Sequence, residues 1–201
     1  GKGIKTGTTD GDEDVQAVYG FQIDLNTSFT GEDSLDISID AGNAASTSPL
    51  AEFDLNGPAS TSTTLTANDI LTVDGVSYTF PLGDKATVIV GDNTDGSALF
   101  TIACAYGGPS NTLDDCGAPK AGITGGGATL GASYDIGGGF TAAVGFQFVE
   151  TGIATKESND TYAANLAYTA DSYGVSVTYA SYEDGTNGVD TDYYTAVNGY
   201  W

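Results

Sequence analysis

Residues 128–148, ATLGASYDIGGGFTAAVGFQF, and residues 161–182, TYAANLAYTADSYGVSVTYASY, decide how this chain folds. In the first stretch Ala128, Leu130, Ala132, Tyr134 and Ile136 alternate with Thr129, Gly131, Ser133 and Asp135. Beyond Gly137-Gly138-Gly139, Phe140, Ala142, Val144, Phe146 and Phe148 alternate with Thr141, Ala143, Gly145 and Gln147. A loop of three glycines pairs Ile136 with Phe140, Tyr134 with Ala142 and Leu130 with Phe146. The second stretch turns at Asp171-Ser172 and pairs Ala170 with Tyr173, Tyr168 with Val175 and Leu166 with Val177. Alternation of period two over this length means strands with one dry face and one wet face. Tyr134, Phe146, Leu166, Tyr168 and Val177 are therefore expected on one side, with Thr129, Gln147, Asn165 and Ser176 on the other.

The dry face carries no charge, and its aromatics gather towards the strand ends while Ala, Leu and Val fill the middle. Short turns alternate with long polar loops at 149–161 and 183–192. Such a layout fits a transmembrane β-barrel, with short turns on one side, long loops on the other and aromatic girdles at both interfaces. A soluble β-sandwich also alternates, and there the apolar face would be the core. The bias towards Gly, Ala and Tyr favours the barrel, because a sandwich core takes bulkier Val, Ile and Leu at nearly every inward position.

Composition narrows the function. Asp and Glu number 27 against 5 Lys and Arg, a formal charge of −22, and histidine is absent. Nucleic acid is an unsuitable partner, since neutralising phosphates needs a basic patch. No segment approaches the roughly 20 apolar residues of a spanning helix. Without histidine, and with only two cysteines, nitrogen and sulfur metal sites and Ser-His-Asp catalysis are excluded. No phosphate-cradling glycine loop followed by Lys and Ser or Thr occurs. The expectation is a non-enzyme with no cofactor and no metal site. Methionine is absent and no basic-then-apolar leader opens the chain, so a processed or truncated N-terminus is expected.

Residues 1–14 read as a flexible acidic entry and residues 15–201 as one all-β region. From Val15 to Phe29 the apolar series is broken only at Thr27, and after a loop around 31–34 Leu35, Ile37 and Ile39 alternate with Asp36, Ser38 and Asp40. Face matching sets Asp24 opposite Asp40, Asn26 opposite Ser38 and Ser28 opposite Asp36. A short strand follows at 51–55, then a Ser/Thr-rich connection to residue 68. Asp74-Gly75 suits the positive φ of a tight hairpin turn joining 70–73 with 76–82, and Pro81 marks a strand end or edge. Strands at 86–90 and 98–103 precede the cysteine loop, and a last one begins at Tyr193. The sum is an antiparallel up-and-down meander of roughly ten strands without a helix.

Four segments carry a family likeness: YGFQIDLNTSFTGEDSLDISIDAGN (19–43), VDGVSYTFPLGDKATVIVGDNTDG (73–96), CAYGGPSNTLDDCG (104–117) and GASYDIGGGFTAAVGF (131–146). Together they resemble cyanobacterial outer-membrane porins of the iron-uptake or carbohydrate-selective type, closest to those of marine picocyanobacteria. The resemblance implies a barrel in outer-membrane lipid that passes small hydrophilic solutes or inorganic ions, commonly as a homotrimer. Members usually add a wall-binding domain and a coiled coil, and no heptad stretch is present here. The chain is accordingly read as a barrel region, incomplete or processed.

The leading expectation is passive diffusion through a polar lumen whose carboxylates favour cations. Asp24, Asp36, Asp40, Glu52 and Asp54 are the candidate channel-lining residues. The alternative is a secreted or cell-surface structural β protein, of filament or surface-layer type, whose acidic loops could hold Ca²⁺. No loop has the spacing of a known calcium site. Cys104 and Cys116 flank a turn-rich loop and are expected to form a disulfide in an oxidising compartment. Closing such a loop contributes about 3 kcal/mol in the chain-entropy model. Intact-mass measurement with and without reductant should show this bond as a two-proton difference. Two freely alkylated thiols in the native protein would refute it.

Overall fold

Alternation becomes strand wherever the chain is described. The computed structural model describes residues 2–5, 16–42, 71–103, 127–153, 159–183 and 191–201. These form β1 (Lys2–Lys5), β2 (Gln16–Thr27), β3 (Ser34–Gly42), β4 (Thr72–Leu82), β5 (Ala86–Asp92), β6 (Ala128–Gly137), β7 (Phe140–Phe148), β8 (Thr161–Thr169), β9 (Gly174–Glu183) and β10 (Thr191–Tyr200). Strand order in the sheet follows sequence order, each strand hydrogen-bonded to its neighbour, with β1 and β10 at the two ends of the order. The fold is thus an all-β, antiparallel, up-and-down meander. No described helix is long and apolar enough to cross a membrane, which says nothing of strands. The chain divides into two compact units, Gly1–Asn26 with Ile37–Gly75, and Thr27–Asp36 with Val76–Trp201.

The registers follow the face-matched pairing closely. Leu130 faces Phe146 and Tyr134 faces Ala142. Leu166 faces Val177 and Tyr168 faces Val175, while the Ala170 amide donates to the Tyr173 carbonyl at 2.8 Å. One pair differs. Gly137, not Ile136, stands opposite Phe140, because the register slips by one residue between Asp135 and Gly137. Gly137, Gly138 and Gly139 all take positive φ; the connecting loop is Gly138-Gly139 alone, one residue shorter than a three-residue loop, and Ile136 is the extra residue of the bulge.

Two sequence expectations fail. Asp74-Gly75 is not a turn; β4 runs straight through it from Thr72 to Leu82. The hairpin forms instead at residues 83–85, where Val76 to Leu82 pair with Asp92 to Ala86 in an unbroken ladder. Pro81 does lie at a strand end, beside the last residue of β4. Nor is 98–103 a strand. Asp95 caps a local turn there, its Oδ1 accepting from the Ser97 amide at 2.8 Å and from Ser97 Oγ at 2.6 Å. The Phe100 amide then donates to the Ser97 carbonyl at 2.9 Å, so the chain coils rather than extends. The short strand read at 51–55 and the cysteine loop lie outside the described residues.

A carboxylate fastens the β2–β3 connection. Asp33 is buried and accepts from Ser28 Oγ at 2.7 Å, Thr30 Oγ1 at 2.6 Å, the Thr30 amide at 2.7 Å and the Phe29 amide at 3.1 Å. Tyr78, from β4, donates its hydroxyl to the second oxygen at 2.7 Å. Donors this numerous favour the ionised form and hold the Asp33 carboxyl well below the usual carboxylate range, the Thr30 and Ser28 hydroxyls first among them. A depressed folded pKa means stability that is present above the unfolded value and lost as pH falls below about 3.9. Asp33→Ala should lower the thermal midpoint, followed by circular dichroism, by several degrees at pH 7, and the gap should narrow in strong acid. Tyr78→Phe, which removes one donor of five, should cost less.

Candidate functional site

The two faces of β6 to β10 are segregated in an unusual sense. Leu166 and Val177, paired at mid-strand, are 53% and 42% exposed, whereas Asn165 and Ser176 beside them are 3% and 1% exposed. The large apolar side chains therefore sit on the open face, from Leu130 on β6 to Val197 on β10. The covered face is made of Thr129, Gly131, Ala143, Gly145, Gln147, Ala163, Asn165, Ala167, Ser176, Thr178, Ala180 and Ala196. All buried hydrophobic residues described are alanines except Ile89. All sequence-assigned members of both faces fall on the expected sides; what alternation left undetermined was which side is covered.

Residues 94–103 provide the cover. The Thr94 carbonyl accepts from Thr129 Oγ1 at 3.0 Å and from Gln147 Nε2 at 3.1 Å. The Thr101 amide donates to Asn165 Oδ1 at 3.1 Å, and the Ala103 amide donates to Ser176 Oγ at 3.0 Å. Thr141 Oγ1 meets Thr101 Oγ1 at 3.0 Å. Four consecutive strands thus extend polar side chains to the segment, one each from β6, β8 and β9 and two from β7. Asn165 also donates through Nδ2 to Thr178 Oγ1 at 2.9 Å, leaving its amide satisfied at both ends. The Phe100 ring packs on Ala163 and Ala180. Small residues are required beneath: a Cβ on Gly145 would collide with the Gly96 carbonyl, and one on Gly131 would lie 2.8 Å from the Ile89 side chain.

On the open face the aromatics form two groups at the strand ends. Towards the short turns, Phe140 and Tyr168 lie 4.7 Å apart between ring centroids, and Tyr168 and Tyr173 5.7 Å. Towards the long connections, Phe146 and Phe148 stack at 6.1 Å and Tyr162 stands edge-on to Phe146 at 5.9 Å. Tyr179 and Tyr193 stack at 6.0 Å. Phe140 and Phe148 are the first and last residues of β7.

The described sequence-assigned carboxylates stand on β2 and β3. Asp24 is exposed on β2 and accepts from Ser38 Oγ on β3 at 2.7 Å and from Gln22 Nε2 at 2.6 Å. Asp36 accepts from Ser34 Oγ at 2.7 Å, and Asp40 is half-buried on β3. Glu52, Asp54, Cys104 and Cys116 lie outside the described residues. Sequence reading named Thr129, Gln147, Asn165 and Ser176 as the polar face but missed what they hold. The available signal was the run of amide and hydroxyl side chains one per strand, since buried polar groups need partners.

In comparisons with family models, curated proteins and solved structures, nothing matches this chain. The geometry of the covered face is open to direct test. Gly145→Val should push residues 94–103 off the sheet. In hydrogen exchange the Thr101 and Ala103 amides should then lose protection while the β7–β8 ladder keeps its own. Equal protection in variant and wild type would mean the segment does not depend on close approach at Gly145.

Proposed function

We propose that the chain is the wall of an outer-membrane pore, or a portion of one, for passive diffusion of small hydrophilic solutes or inorganic ions. The observation that carries this reading is the inverted sheet: small and polar residues covered, large apolar residues open. In water, a side chain such as Leu or Val left half exposed forgoes about 1 kcal/mol of burial. Across β6 to β10 that amounts to something on the order of 10 kcal/mol, as much as the whole stability of an ordinary domain. Lipid removes the penalty, and a sandwich core would have placed these same side chains inside.

Dimensions agree. The eight steps from Phe140 to Phe148, at about 3.3 Å each, span about 26 Å along the strand. A tilt of 35–45° brings this to about 20 Å, near the height of an apolar band between aromatic girdles. No charged residue stands in apolar register between the ends of the described strands β6 to β10. β10 is hydrogen-bonded to β9 alone among the described strands. In lipid its free edge would cost several kcal/mol for each unsatisfied group. Closure, by this chain or as part of a larger barrel, is therefore part of the proposal, as is the homotrimer that porin resemblance implies. Asp24, Asp36 and Asp40 then bias the passage towards cations, a reading that rests on their sequence pattern.

Single charges on the open face provide the test. Leu166→Arg or Val177→Arg, near mid-membrane, should cost about 2–4 kcal/mol of insertion. The variants should fold poorly into vesicles of outer-membrane-like lipid, by heat-modifiable gel mobility, while Asp171→Arg in a short turn inserts like the wild type. Full solubility of the wild type without detergent, with no conductance in planar bilayers, would refute the pore and leave the surface-protein alternative.

A further inference from the structure

Residues 94–103 do not fill the polar face completely. Towards the short-turn end a cavity of about 260 Å³ stays open within the larger unit. Leu99 and Thr101 of the inserted segment line one side and Thr87, Ser133 and Thr141 the other, with Asp84, Lys85 and Asp135 at the turn end. The charged groups belong to a braced structure. The Asp135 amide donates to the Lys85 carbonyl at 2.8 Å, tying the 83–85 turn to β6. Asp135 Oδ1 in turn accepts from the Gly137 amide at 2.8 Å. Among the described residues of this unit Lys85 is the sole basic one, in a chain with 5 basic residues against 27 acidic.

We propose that this cavity is the narrow turn-side passage of the pore and that Lys85 is a specificity-determining residue within it. The inference rests on the pore reading above and names the group that moderates its selectivity. A water claims about 30 Å³ of liquid, so the space admits a small ion with part of its hydration shell. Lys85 lies within the screening length of about 8 Å of anything that crosses so small a space, as do Asp84 and Asp135. Walls of low dielectric focus their fields. The ammonium opposes cations and admits anions, whereas the two carboxylates act in the reverse sense. Four hydroxyl side chains between them, Thr87, Thr101, Ser133 and Thr141, offer neutral partners that replace lost water for either kind of ion.

Reversal potentials of the full chain in planar bilayers under a KCl gradient at low ionic strength test this. Lys85→Gln should raise the potassium-to-chloride permeability ratio about threefold, and Lys85→Glu should raise it further. Half a decade corresponds to about 0.7 kcal/mol at 1.4 kcal/mol per tenfold. Asp135→Asn, which keeps the oxygen that accepts from Gly137, should lower the ratio. Asp171→Asn, in another short turn and away from the cavity lining, is the control and should leave it unchanged. Open wild-type channels whose ratio is indifferent to Lys85 and Asp135 would overturn the assignment of Lys85 alone. An equal response to Asp171→Asn would do so too, by reducing the effect to general surface charge. A wild-type chain that does not conduct would overturn the pore reading and the inference with it.

Discussion

The rest of this structure depends on how the polar side chains of β6 to β9 are satisfied. An antiparallel ladder settles the backbone, but it leaves two faces that must each meet a suitable neighbour. Here the chain spends its own covering segment on the polar face. Thr129, Gln147, Asn165 and Ser176 are held by Thr94, Thr101 and Ala103 at 3.0–3.1 Å, and the apolar face has no covering element among the described residues of its own unit. Each such bond contributes a net 0.5–1.5 kcal/mol, and a buried group left unpaired costs about 1–3 kcal/mol. The set therefore fixes the segment more by the penalty of losing it than by the gain of making it.

Small side chains are the other half of that arrangement. A backbone segment can lie on a sheet only where Cβ atoms are few or short, hence Gly131, Gly145, Ala143, Ala163 and Ala180 beneath residues 94–103. Phe100 contributes a large apolar contact, against Ala163 and Ala180. The same alanines would make a poor sandwich core, since they bury little area. Their placement and the outward placement of Leu130, Val144, Leu166 and Val177 are a single fact seen from two sides.

Much of the fold was legible because period-two alternation fixes register as soon as like faces like. Leu130–Phe146, Leu166–Val177 and Tyr168–Val175 follow from that alone. Two kinds of information were not legible. Alternation is symmetric about the sheet, so it separates Asn165 from Leu166 without saying which of them is covered. Local signals also compete. Asp74-Gly75 has the composition of a tight turn, yet β4 runs through it and the chain reverses at 83–85. Residues 98–103 read as a strand, yet the Asp95 carboxylate and its two bonds to Ser97 start a coil first. The channel-lining carboxylates were chosen by opposing register on β2 and β3, and that argument could not see the cavity beside Lys85, which needs segment 94–103 in place before it exists.

Charge is distributed in keeping with this division. Beneath the inserted segment the polar face of β6 to β9 presents hydroxyls, amides and small residues, with no carboxylate among the residues that hold it. Acidic residues stand instead at the strand ends: Asp84 and Asp135 towards the short turns, Asp92, Glu150 and Glu183 towards the long connections. Glu150 is hydrogen-bonded to Asp92, and the shared proton together with the like charge raises its pKa. On the pore reading proposed above, the middle would discriminate by size and by the number of neutral oxygens offered, and the mouths by sign. Mouth charges act through water and are screened within about 8 Å at physiological ionic strength. On that reading they would concentrate cations at the entrance and leave the neutral middle to decide what crosses. An excess of acid in the chain as a whole is therefore compatible with weak charge selectivity in the proposed passage, where a single lysine beside the cavity would weigh as much as many distant carboxylates.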